Sequence, residues 1–138
     1  MGTRQPSERD SLVGVHILIV EDDPISAEMF TMLLEYAGAL VTVAGTADYA
    51  LRLLDRVIPD VLVSDIFLPE KDGFWLIGQL RERRAKQGGA IPAIAVTAGE
   101  YRQQEILAAG FQVYLRKPIE PKALCQAIAA LVRRPRAA

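Results

Sequence analysis

The chain has 138 residues, the size of one ordinary domain and too short for two. With 51% of its residues hydrophobic and 24% charged, it can build a buried core and does not have a disordered composition. Sixteen basic residues against seventeen acidic ones leave a formal charge of −1, so nothing electrostatic points to nucleic acid or membrane as the primary partner.

In chain order, residues 1–13 read as a polar, flexible lead, residues 14–132 as the folded domain, and residues 133–138 as a short tail whose Arg133, Arg134 and Arg136 are a solvated end. The lead has no apolar central run and so does not resemble a signal peptide. Gly2 lacks the Ser or Thr at position six that myristoylation needs, because that residue is Pro6. Val15–Val20 is a continuous apolar strand of the kind covered on both faces in a parallel sheet. Asp23 and Pro24 then open a helix, one by capping and the other at the first helical position. Ile25, Met29, Leu33 and Tyr36 follow at helical spacing, and Gly38 stops it. Leu40–Ala44 is the second strand, and Thr46 caps a second helix to about Arg56. Asp60–Ser64 is the third strand, and a loop with Pro69 and Gly73 leads to a helix ending near Ala85. Ile91–Val96 is the fourth strand, Gly99–Ala109 the fourth helix, and Val113–Leu115 the fifth strand. A last helix starts near Pro121, with Leu124, Ile128 and Leu131 on one face. Cys125 falls within it as a small buried hydrophobe, and a lone cysteine cannot form an intramolecular disulfide. No apolar run reaches the roughly 20 residues needed to span a bilayer, so a soluble, cytoplasmic protein is expected.

Five strands alternating with five helices predict an α/β fold, a (βα)5 parallel sheet with helices on both faces. Such sheets bind ligands at the carboxyl ends of their strands. Strand one ends at Glu21 and Asp22, strand three at Asp65, strand four at Thr97 and strand five at Lys117, so these side chains converge on one edge. Taken singly, each has an ordinary explanation: a capping acid, a solvated lysine, a turn hydroxyl. Taken together they do not. Three neighbouring carboxylates raise one another's pKa, and a divalent cation relieves them. Oxygen ligands without nearby His or Cys suit Mg2+. Carboxylate nucleophile, metal, lysine and hydroxyl form an inventory for phosphoryl transfer to an aspartate.

With those residues in place, the chain resembles the receiver domain of bacterial response regulators over roughly Val15 to Val132. The motifs are ILIVEDD at the first strand, PDVLVSDIFLPEKDG around the third, IPAIAVTA at the fourth and YLRKP at the fifth. The resemblance implies a flavodoxin-like, doubly wound sheet of order 2-1-3-4-5, as in single-domain chemotaxis regulators. It assigns Asp65 as phosphoacceptor and Glu21 and Asp22 as the acidic pair that binds Mg2+ with Asp65, Asp22 the more direct ligand. The backbone carbonyl of Phe67 is a further metal ligand. Thr97 is the switch hydroxyl, Lys117 the phosphate partner, Pro118 the residue after a cis peptide bond, and Tyr114 an aromatic whose exposure changes on activation.

The implied function is not enzymatic turnover but signalling. Asp65 takes a phosphoryl group from a sensor histidine kinase or phosphotransfer protein, and the protein supports its own Mg2+-dependent phosphorylation and dephosphorylation. The face of the fourth helix, fifth strand and fifth helix then changes its affinity for a downstream protein partner or for a second copy in a homodimer. A stand-alone regulator that acts through protein contacts, without direct contact to nucleic acid, is the simplest case. Phe67 and Gly99, each two residues beyond a site residue, are placed to influence water at the acyl phosphate. Phe67 either shields the phosphoryl group or packs beneath the following loop, while Gly99 leaves the other side open. A haloacid-dehalogenase-type phosphatase would need a second aspartate where Phe67 stands. A flavodoxin-like cofactor binder would need glycine and hydroxyl groups where Glu21 and Asp22 stand. A receiver-like module without phosphorylation would not need the full set of five. His16, at a strand start, is not placed as a phosphorelay histidine.

Overall fold

The structure is a computed structural model that describes residues 9–133. Five strands, β1 His16–Val20, β2 Leu40–Ala44, β3 Val61–Ser64, β4 Ala93–Thr97 and β5 Val113–Arg116, form one sheet of order β2-β1-β3-β4-β5. Every pairing is parallel, with Ile17 opposite both Val41 and Val61, and Ala95 opposite Tyr114. The helices are α1 Pro24–Tyr36, α2 Ala47–Leu54, α3 Gly73–Arg81, α4 Gln103–Ala109 and α5 Pro121–Val132. The (βα)5 expectation and its strand order therefore hold.

Alternate residues of the apolar strands face opposite layers, as a pleated strand covered on both sides requires. Leu18, Val20, Leu62 and Ala95 pack with Leu54, Leu76, Leu80 and Ile106 of α2, α3 and α4. Ile17, Ile19, Val63, Ile94 and Val96 pack with Leu34 of α1 and Leu124, Ile128 and Leu131 of α5. Cys125 is buried in this second layer, as expected.

Several boundaries differ from the sequence reading. Leu12, inside the segment assigned to a flexible lead, is fully buried in the α1–α5 layer, and its amide donates to the Ala37 carbonyl at 2.8 Å. The packed unit thus includes residues before 14. Residues 1–8 of that lead and Arg134 and Arg136 of the tail lie outside the described residues. In α1 the buried residues are Ala27 and Leu34, whereas Ile25, Met29, Met32 and Tyr36 are exposed. Helix α3 ends at Arg81, and a single 3-10 turn at Ala85–Gln87 precedes β4.

Helix α4 begins at Gln103 and not at Gly99. The reason lies in the backbone of Gly99. Its N–H donates to Thr97 Oγ1 at 3.2 Å, and its carbonyl accepts the Tyr114 hydroxyl at 3.0 Å. Those side-chain partners satisfy both polar groups in place of helical ones.

Candidate functional site

Each site residue stands at the carboxyl end of a strand because its strand pairs in register with its neighbours. Val20 is opposite Ala44 and Ser64, which places Glu21, Asp22 and Asp65 side by side, and Thr97 is opposite Arg116, which brings Lys117 alongside. Asp65 is fixed through its own backbone. Its amide donates to the Val20 carbonyl at 2.9 Å, and its carbonyl accepts the buried Ser64 hydroxyl at 2.8 Å. Asp23 caps α1, accepting from the Ser26 amide at 3.2 Å and the Ser26 hydroxyl at 2.7 Å. These two hydrogen bonds hold its carboxyl below the usual carboxylate range.

Lys117 Nζ lies 2.5 Å from Glu21 Oε1 and 2.8 Å from Asp65 Oδ2. Asp65 Oδ1 accepts the Phe67 amide at 3.1 Å. Glu21, Asp65 and Thr97 are buried, while Asp22 is exposed. Burial raises the Glu21 carboxyl above its ordinary value and outweighs the hydrogen bond and charge of Lys117, which act the other way. For Lys117, burial favours the neutral amine. Its hydrogen bonds to Asp65 and Glu21 outweigh that, so its pKa is raised and the ammonium is favoured.

Carboxylate oxygens of Glu21, Asp22 and Asp65 lie within 4.8 Å of one another. Two of these three carboxylates pair with the single ammonium of Lys117, leaving an excess of negative charge that a divalent cation would balance. The donors are all hard oxygens, which fits Mg2+ and does not suit a softer metal.

The sheet therefore brings together all five strand-end residues read from the sequence. Pro118 follows a cis peptide bond with Lys117, as the resemblance implied. Tyr114 is half-buried, with its hydroxyl on Gly99. Phe67 is 79% exposed, so it does not pack beneath the following loop. A Cβ on Gly99 would meet the Tyr101 ring at 2.6 Å, so that ring occupies the space beside the glycine. His16 is at the far end of β1, with Nε2 2.8 Å from Thr42 Oγ1. A cleft of about 490 Å³ lined by Leu54, Arg56, Ile58, Arg83 and Lys86 contains none of the site residues.

Sequence reasoning missed Gly73. A Cβ on it would meet the Asp65 carbonyl oxygen at 2.5 Å and Ile66 Cα at 2.8 Å, so only glycine lets α3 pack this close behind the carboxylate. Its own amide donates to the Ile66 carbonyl at 2.7 Å. The Asp72-Gly73 pair at a helix start was the available signal, but it reads as an ordinary turn.

Residues 17–129 match the family model for the response regulator receiver domain. The chain is a response regulator receiver domain. Among relatives of this receiver domain, an uncharacterized 14.6 kDa protein of Leptolyngbya boryana is 45% identical over 120 residues, which are 86% of this chain and 90% of that protein. Protein PetR of Rhodobacter capsulatus is 39% identical over 121 residues, 86% of this chain and 49% of PetR. The receiver domain thus spans nearly all of one relative and about half the length of the other. The solved receiver domain of a sensor histidine kinase from Pseudomonas aeruginosa PAO1, which has a magnesium ion in its active-site cleft, superposes with a TM-score of 0.78. It is 29% identical, and the match covers 87% of this chain and 98% of that one. Receiver domains of this family belong to two-component signalling systems, and segments of hybrid signal transduction histidine kinases I and D of Dictyostelium discoideum are among the sequences this chain is similar to.

Proposed function

We propose that Asp65 is the phosphoacceptor of this receiver domain. The observation that carries this is the pairing of Asp65 Oδ2 with Lys117 at 2.8 Å inside a cluster of three carboxylates. An ionised, oriented carboxylate is the nucleophile the reaction needs, and the adjacent ammonium offsets the charge of an incoming phosphoryl group. An Asp65 carboxylate oxygen forms a new P–O bond as the P–N bond of a phosphohistidine on the partner breaks, and the imidazole leaves with the electron pair of that bond.

Glu21, Asp22, Asp65 and the Phe67 carbonyl would hold Mg2+, with Asp22, exposed and without a hydrogen bond or ion pair among the described residues, the most accessible ligand. When bound, Mg2+ supplies charge neutralisation at the transferring oxygens. Lys117, released in part from Asp65 once its carboxylate is esterified to phosphorus, pairs with the phosphoryl oxygens. The Thr97 hydroxyl, whose oxygen already accepts the Gly99 amide, donates its proton to the same group. Because Thr97 is linked through Gly99 to Tyr114, the new bond to Thr97 alters the face of α4, β5 and α5 for a downstream protein partner or a second copy.

On this reading the domain is a cytoplasmic signalling phosphoacceptor and not an enzyme acting on other molecules. Its chemistry is confined to its own Mg2+-dependent phosphorylation and dephosphorylation. No helix among the described residues is long and apolar enough to cross a membrane. Addition of Mg2+ and beryllofluoride, a phosphoryl mimic, should shift amide resonances of Thr97, Gly99 and Tyr114 in the wild type. No shift should occur in Asp65→Ala, and equal shifts in both proteins would refute the assignment.

A further inference from the structure

The turn from Thr97 to Gly99 is held from three sides. The Gly99 amide is on Thr97 Oγ1, its carbonyl is on the Tyr114 hydroxyl, and its α-carbon is covered by the Tyr101 ring. The third contact is close enough that a side chain at position 99 would have to displace the ring. A Cβ at position 99 would lie 2.6 Å from Tyr101 Cε2 and 3.3 Å from Cδ2 and Cζ. The Tyr101 ring is itself braced. It meets Phe74 of α3 edge to face, with centroids 5.5 Å apart and planes at 71°, and both rings pack onto the α2–α4 core layer. Tyr101 therefore ties the turn that carries the switch hydroxyl to α3, whose first residue packs behind Asp65.

We propose that Tyr101 is a positioning residue for the phosphoryl site. Its ring, braced by Phe74, fills the space left by the missing side chain of Gly99 and keeps the Thr97–Gly99 turn in the conformation that presents the Thr97 hydroxyl. Residues 99 and 101 thus act as one unit, glycine supplying the space and tyrosine the wall. A turn ordered before the phosphoryl group arrives binds it without the entropic cost of ordering at that moment. A turn loosened by loss of the ring must be ordered on binding, which lowers affinity for any phosphoryl mimic. The inference rests on the reading of Asp65 as phosphoacceptor.

The test is a beryllofluoride titration at saturating Mg2+, followed by the amide resonances of Thr97 and Lys117. It compares wild type, Tyr101→Phe, Tyr101→Ala, Gly99→Ala and the Gly99→Ala/Tyr101→Ala double variant. Thermal midpoints of all five show that each is folded at the titration temperature. Tyr101→Ala should raise the midpoint concentration roughly fivefold, the low end of ordinary coupling between sites. Tyr101→Phe should stay within about twofold of wild type, because the ring and not the hydroxyl makes the contact. Gly99→Ala should reproduce the loss by displacing the ring, and the double variant should be no weaker than Tyr101→Ala alone. The proposal is overturned if Tyr101→Ala titrates like wild type, if it binds more tightly, or if the effects of the two alanine changes add. A wild type that gives no response removes the phosphoacceptor reading itself, and this proposal with it. That outcome is distinct from a responsive wild type matched by Tyr101→Ala.

Discussion

Replacing Lys117 with methionine keeps the aliphatic stem and deletes the ammonium that two buried carboxylates share. Lys117 donates to Glu21 and Asp65, whose side chains are only 3% and 10% exposed, while its own is 21% exposed. Removing one partner of a buried ion pair costs about 3–5 kcal/mol, because the remaining charge is left without compensation. Partial access of water to Lys117 sets the expectation at the lower end, about 3 kcal/mol at pH 7 with a chelator present. Urea unfolding followed by circular dichroism measures this directly. The pH dependence has a definite sign. Glu21 is a carboxyl already raised above 4.5 in the fold, chiefly by burial, and loss of Lys117 removes the two largest of the three influences that lower it. A raised folded pKa means that the folded state holds a proton the unfolded chain has released. The associated stability is fully present below pH 4.5 and is lost as pH rises through the folded value. The deficit of Lys117→Met relative to wild type should therefore shrink from pH 7 to pH 5. Added Mg2+ should stabilise each protein by about 1.4 kcal/mol at tenfold excess over its own Kd, so it narrows the deficit only as far as the variant binds the ion more tightly than wild type. A deficit below about 1 kcal/mol, or one that widens on acidification, would refute the view that Lys117 neutralises a strained acidic cluster.

Asp22→Ala should weaken Mg2+ binding by about tenfold or more, read from an NMR titration, while leaving the chelator-treated protein at least as stable as wild type. Unchanged Mg2+ affinity would remove Asp22 from the metal site. Phe67→Asn should shorten the lifetime of the phosphorylated form several-fold by replacing an exposed apolar shield with a group that can hold water. Its folding stability should stay within about 0.5 kcal/mol, since Phe67 is 79% exposed. An unchanged rate of phosphate loss would sink the shielding idea. Leu12→Ala should cost about 2–5 kcal/mol in urea unfolding, because Leu12 is fully buried. A cost below about 1 kcal/mol would return that segment to the status of a loose lead.

The fold was legible because parallel strands covered on both faces leave unmistakable apolar runs. Those of β1, β3 and β4 are buried at almost every position. The site was legible because strand ends gather polar residues by topology alone, which brought Glu21, Asp22, Asp65, Thr97 and Lys117 to one edge. What escaped was whatever depends on distances between elements. The spacing of Ile25, Met29, Leu33 and Tyr36 marks α1 as a helix but not its buried side, since the helix is apolar nearly all round, and burial falls on Ala27 and Leu34. Leu12 stands in a polar stretch without periodicity, and only its contact with the end of α1 shows that it is core. Gly99 reads as the start of a helix because no local signal reveals that side chains of Thr97 and Tyr114 take its backbone groups. Gly73 looks like turn punctuation until α3 is seen packed against the Asp65 carbonyl.

The central claim is that Asp65 is the carboxylate that carries the phosphoryl group. Intact-mass spectrometry after incubation with acetyl phosphate and Mg2+ tests it most directly, with Asp65→Ala and a chelator-treated wild type run in parallel. Wild type with Mg2+ should gain the mass of one phosphoryl group, and both controls should gain none. A wild type that stays unmodified, or an Asp65→Ala variant that is phosphorylated to the same extent, would contradict the assignment.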